Sequence, residues 1–148
     1  MRSLLSFACL ALFSLVLAGC STPPERRLES PGLAVTGLTF SGDTAALALR
    51  FTNPNTAPLV VTSSTHTLYL GDKRIGGLDD GEPIGIPPMG SVTHTITLPK
   101  AMAAKAGALL ARNPGEVRAN VETELKLVLG TEDTLTLKSS GGGLVKAP

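Results

Sequence analysis

The chain has 148 residues, enough for one domain and a short additional segment. Its 13 basic and 12 acidic residues nearly cancel, only 3% of residues are aromatic, and Trp is absent. That balance excludes the basic face that nucleic acids call for, and it leaves no stacking platform for bases or sugars.

In chain order, residues 1–19 stand apart. Arg2 precedes an almost unbroken apolar run from Leu4 to Leu17, which is too short for a spanning helix and ends in small residues, so it reads as an export signal. Leu17, Ala18, Gly19 and Cys20 resemble the lipobox of bacterial lipoproteins. The resemblance implies cleavage before Cys20, diacylglycerol on its sulfur, and an acyl chain such as palmitate on the new amino terminus. Ser21, where Asp would favour retention at the inner membrane, points to the outer membrane. The implied location is the bacterial cell envelope, lipid-anchored and facing the periplasm. Cys9 falls in the signal, so the mature chain keeps Cys20 alone, which excludes an intrachain disulfide and a Cys-based zinc site. Without Arg2 the basic residues fall to 12, level with the acidic ones.

Residues 20–32 carry the lipidated cysteine and a flexible tether. "STPPERRLESP" (Ser21 to Pro31) is polar and holds three prolines. Its eleven residues reach at most about 35–40 Å. From residue 33 to 148 the pattern has mostly period two, the mark of half-buried strands. "LAVTGLTF" is a first strand, with Gly37 at a bulge, and Ser41-Gly42-Asp43 is a turn. "TAALALRF" puts Leu47, Leu49 and Phe51 on one face. Then come "PLVVT", "THTLYL" and "KRIGGL", the last two joined by the hairpin signal Gly71-Asp72. "GSVTHTITL" and the long "EVRANVETELKLVL" alternate as well; in the latter, residues from Val117 to Leu129 share an apolar face. "TLTLK" follows, and "SSGGGLVKAP" reads as one more strand or a frayed end. Only "KAMAAKAGALLAR" breaks the rhythm, with Met102, Ala106, Leu109 and Leu110 at helical spacing before the Asn113-Pro114-Gly115 stop. These elements predict a mainly β fold: an antiparallel β-sandwich of immunoglobulin or fibronectin-III-like type, with about seven strands and one short helix.

Asn53-Pro54-Asn55 interrupts this pattern. Pro54 presets a turn, Asn55 tolerates the bridge or left-handed region, and the Asn53 side chain can bond the turn's own backbone. The residues therefore read as a structural turn without a ligand. An alternating strand, Asn-Pro-Asn and then "APLVV" is similar to the WHy domain of late embryogenesis abundant type 2 (LEA2) proteins. "YLGDKRIGGL", "IPPMGSVTHTITL" and "VRANVETELKLVLG" resemble the family's later elements in the same order, so the likeness covers about residues 33 to 138. It implies a seven-stranded sandwich with one helix, no enzymatic activity, no cofactor, and an association with desiccation or related stress. "SSGGGLVKAP" is looser than the family's final strand.

The remaining chemistry is thin. His94 shares a face with Val92, Ile96 and Leu98, whereas His66 opens a strand and is expected at the surface. Asp79, Asp80 and Glu82 form the densest acidic stretch but lack EF-hand spacing and read as a solvated loop. Glu122 and Glu124 lie on a polar strand face, and there is no Gly-x-Ser-x-Gly elbow or phosphate loop. No catalytic residue and no metal ligand is assigned. The expected role is non-catalytic protection of neighbouring proteins or membrane under stress. The alternative is a binding module that takes an envelope partner along a sheet edge.

Overall fold

A computed structural model describes residues 28–129 and 133–146. The expected export signal and the lipobox at Leu17, Ala18, Gly19 and Cys20 lie outside the described residues. Among the described residues, eight strands and one helix follow in order: β1 (Gly32–Ser41), β2 (Thr44–Thr52), β3 (Leu59–Leu70), β4 (Lys73–Asp80), β5 (Ile84–Ile86), β6 (Ser91–Leu98), α1 (Lys100–Ala111), β7 (Glu116–Leu129) and β8 (Asp133–Lys146). All pairings are antiparallel. One sheet has the order β1-β2-β6, and the other β4-β3-β7-β8 with β5 also paired to β3.

The period-two pattern places the core between the sheets. Leu47, Leu49 and Phe51 of β2 face Leu68, Leu70, Val121, Leu125 and Leu127 of the other sheet, all essentially inaccessible to water. Each such side chain gains roughly 1.5–3 kcal/mol from leaving water. The bulge expected at Gly37 is present as a register shift between Val35 and Gly37, and Gly42 and Gly71 take the left-handed φ that the two hairpin turns need. The helix caps one end of the sandwich through Met102, Ala103, Ala106 and Leu110, with Gly107 against the Phe40 ring. No helix among the described residues is long and apolar enough to cross a membrane.

Three local expectations are corrected. "PLVVT" and "THTLYL" are one strand, β3, with a bulge between Val61 and Ser63 that shifts the inward face from odd to even positions. Leu129 is 41% exposed because β7 runs past the end of the core there. The Ser/Gly-rich tail is neither loose nor frayed: it is the second half of β8, paired with β7 residue by residue out to Lys146.

That tail closes the sandwich. β1 and β8 are the edge strands of opposite sheets, and here the sheets come together. A Cβ at Gly141 would collide with the Leu33 carbonyl, and one at Gly143 with the Val35 carbonyl. Ser139 Oγ donates to Pro31 O at 2.6 Å. Glycine is required because only a bare Cα lets the two backbones approach this closely. β1 therefore lies over the inner face of this half of β8, on the side where Leu137 and Val145 are buried.

Candidate functional site

The turn at Asn53–Asn55 is a hydrogen-bonding hub. Asn53 is 1% exposed. Its Nδ2 donates to three carbonyls: Ala57 at 2.8 Å, Pro87 at 3.2 Å and Ile86 at 3.3 Å. Its Oδ1 accepts from the Asn55 backbone N–H and from Asn55 Nδ2, both at 2.9 Å. One buried amide thus joins the turn after β2 to the loop after β5. The backbone completes the link, with Asn53 N–H donating to Gly90 O and Met89 N–H to Asn55 O. Within that second loop, Pro87–Gly90 forms a turn with a Gly90 N–H to Pro87 O bond. Met89 takes φ 50°, the positive value that type II turns need at their third position. For a residue with a Cβ the left-handed region costs about 1 kcal/mol.

Asn55 faces the other way. Its Nδ2 donates to Glu29 O and its Oδ1 accepts from Glu29 N–H, each at 2.9 Å. The side-chain amide therefore mimics a strand partner for the entering chain, holding it just before β1. Asn55→Ala should cost only about 1 kcal/mol because the bonds are exposed. It should nonetheless free residue 29: amide exchange at Glu29 is expected to accelerate while the exchange of β2 and β3 stays unchanged.

His66 was expected at the surface and is fully buried. The bulge in β3 is the cause, since it turns Ser64, His66, Leu68 and Leu70 inward together. The ring bonds Ser64 Oγ through Nε2 at 2.8 Å and Thr123 Oγ1 through Nδ1 at 2.9 Å. A neutral imidazole has one donor and one acceptor, and two hydroxyls serve either tautomer. Burial lowers the His66 pKa from 6.5 to about 4, against the upward pull of Asp80 and with a smaller downward push from His94.

The sign of the pH effect follows. Above pH 6.5 both folded and unfolded chains carry a neutral His66, so it makes no pH-dependent contribution. Between pH 6.5 and about 4 the unfolded chain takes up the proton and the folded one does not, so stability falls as pH falls. The loss approaches roughly 3 kcal/mol near pH 4, at about 1.36 kcal/mol per unit. Urea unfolding at pH 7 and pH 4 should show it, and His66→Gln should remove most of that pH-dependent loss. An equally steep loss in the variant would place its origin elsewhere.

Near His66, His94 Nε2 meets Asp80 Oδ2 at 2.5 Å, with the side chains 10% and 14% exposed. Asp80 Oδ1 accepts from Glu82 N–H at 2.9 Å. Burial raises the Asp80 pKa, but the His94 bond, the Glu82 N–H and the two histidine charges outweigh it and hold the carboxyl below its ordinary value. Asp80 therefore lies in a paired site between β4 and β6, not in a solvated loop. Asp80, Glu82 and His94 present ligand atoms within 4.8 Å of one another. In this arrangement, however, both Asp80 oxygens already accept bonds from protein groups, and the cluster reads as a clasp between the sheets. Asp79 takes a bond from Thr65 Oγ1 instead. Glu122 and Glu124 face outward as expected, the first accepting from Tyr69 Oη and the second paired with Lys138.

Among the described residues, no buried side-chain polar atom lacks a hydrogen-bond partner. The protein is thus an antiparallel β-sandwich with a sealed interior, one helical cap and an Asn-Pro-Asn hub that holds the incoming chain. The chain belongs to the late embryogenesis abundant protein family (LEA_2), whose sequence model matches residues 48–141. It is similar in fold to the solution structure of an Arabidopsis thaliana protein, with 16% identity, 82% of this chain and 85% of that chain covered, and a TM-score of 0.60. A second solution structure, of a protein assigned as late embryogenesis abundant (LEA), aligns at 13% identity over 99% of this chain and 85% of its own, with a TM-score of 0.54. No curated protein matches the sequence.

Proposed function

We propose that this family member is a lipid-anchored, non-catalytic protein of the bacterial cell envelope, facing the periplasm and placed more at the outer than at the inner membrane. It contributes to tolerance of desiccation or related stress by keeping neighbouring proteins or lipids from associating as water is lost. One observation carries the reading: in the domain that follows the "LAGC" motif, every buried side-chain polar atom among the described residues has a hydrogen-bond partner within the fold. The buried His66 lies between two hydroxyls away from solvent, and Asp80 is held by His94 and the Glu82 N–H, which suits bracing of the sandwich more than chemistry on a substrate. Family membership supports the stress-related class. The anchor supplies proximity, because two or three acyl chains hold far more firmly than one.

Two measurements test it. Cys20→Ser should abolish fatty-acid labelling and move the protein out of the membrane fraction; labelling that persists removes the anchor. The mature protein should also rescue a labile enzyme through drying better than equal masses of albumin and an unrelated sandwich domain. Recovery no better than these controls removes generic shielding.

A further inference from the structure

The two ends of the sandwich differ in kind. At the helix end lie the hairpin turns after β1 and β3 and the loop before β7, and charges crowd there: Asp43 with Lys100, then Asp72, Lys73, Arg112 and Glu116, all exposed. The opposite end is built from the turn after β2, the loop between β5 and β6 and the end of β7. From Asn53 to Thr62 and from Ile84 to Thr93 there is no charged residue. Among the described residues, five large hydrophobic side chains are exposed, and four of them are at this end: Val60, Met89, Val128 and Leu129. Val60 and Val128 fall opposite one another, one step beyond the Val61–Leu127 pair, on the outer face of their sheet. Met89 is 69% exposed at the tip of its turn, which the Asn55 carbonyl holds in place.

The entering chain selects the occupant. Asn55 clamps Glu29 at this same uncharged end, so the nine residues between Cys20 and Ser30 lead away from it and not from the charged end. At most about 30–35 Å of extended chain separates the clamp from Cys20. We propose that the apolar end of the sandwich docks on the lipid bilayer, with Met89, Val60, Val128 and Leu129 entering the headgroup–acyl boundary; this rests on the Cys20 anchor proposed above. Exposed apolar side chains suit that boundary, with Lys126, Asp133 opposite Leu129, and Glu29 forming a charged rim in water.

The test uses the full chain, produced in bacteria and reconstituted into vesicles of phosphatidylethanolamine with a minor share of phosphatidylglycerol. With Cys20 acylated, Met89→Cys and Asp72→Cys each offer a single thiol for an environment-sensitive dye. Doxyl-labelled lipid should quench the dye at residue 89 severalfold more than at residue 72. Adding Val60→Ser and Val128→Ser, both at exposed positions, should lower the quenching at residue 89 without shifting the melting temperature. Flotation with the vesicles and the mass of the Cys20 peptide report the anchor separately. A protein that neither floats nor carries acyl chains overturns the anchor and the docking with it. One that floats but shows equal, weak quenching at both positions overturns the docking alone, and then suits an end that a protein partner covers.

Discussion

Asn53→Asp is expected to destabilise the domain by about 4 kcal/mol at neutral pH, although the side chain keeps its size and shape. The substitution replaces an NH2 group that donates to the Ala57, Ile86 and Pro87 carbonyls with an oxygen that can only repel them. It also buries a charge at a position 1% exposed to water. A buried charge without a partner costs about 3–5 kcal/mol, and the carbonyls left unpaired add to that. Asn53→Ala should cost less, about 2–3 kcal/mol, since it removes the bonds without burying a charge. Urea unfolding of both variants gives the comparison. An Asp variant no worse than the Ala variant would mean that the carboxyl takes up a proton and donates in place of the amide.

A single methyl group at Gly141 should be nearly as damaging, with an expected loss of about 3 kcal/mol for Gly141→Ala. The added carbon would overlap the Leu33 backbone carbonyl, and backbone cannot step aside as a flexible side chain can. β1 would have to move away from β8, breaking the closed edge of the sandwich. The stiffer unfolded chain of an Ala variant returns only about 0.4–1 kcal/mol. Gly85→Ala in β5 is the matched control, because nothing lies within 4 Å of its added carbon. There the expected change is neutral or slightly stabilising. Thermal melts should separate the two by about 10–20 °C, taking a few degrees per kcal/mol for a domain of this size. Equal melting temperatures would show that β1 and β8 do not meet as closely in solution.

Much of this architecture is legible in the residues. Period-two alternation in β2, β6 and β7, the Gly71-Asp72 hairpin, the Gly37 bulge and the stop at Asn113-Pro114-Gly115 all correspond to features of the fold. What escaped has physical causes. The bulge at Val61–Ser63 carries no glycine and leaves no local mark, so the inward turn of His66 is visible only in its parity with Leu68 and Leu70. β5 is three residues long, too short for a pattern. "SSGGG" looks like linker because glycine is read by its freedom in an isolated chain, whereas here its lack of a Cβ is what β1 requires. The turn at Asn53-Pro54-Asn55 was legible as a turn, and its local Asn53–Asn55 bond follows from Asn chemistry. Its clamp on Glu29, across 26 positions, could not be deduced from spacing. The Asp80–His94 pair spans two sheets and is hidden for the same reason.

The clasp between β1 and β8 joins the first strand made to the last. A nascent chain presents β1 long before the segment that matches it, Gly141 to Gly143, has been made. Until Gly141 and Gly143 appear, Leu33 and Val35 have no backbone to lie against, and β7 lacks its outer neighbour. Long-range pairings of this kind make a sandwich slow to form. The order of synthesis therefore sets when the sandwich can close: the local hairpins β1–β2 and β3–β4 can pair early, but the β1–β8 contact must wait for the last of the described strands.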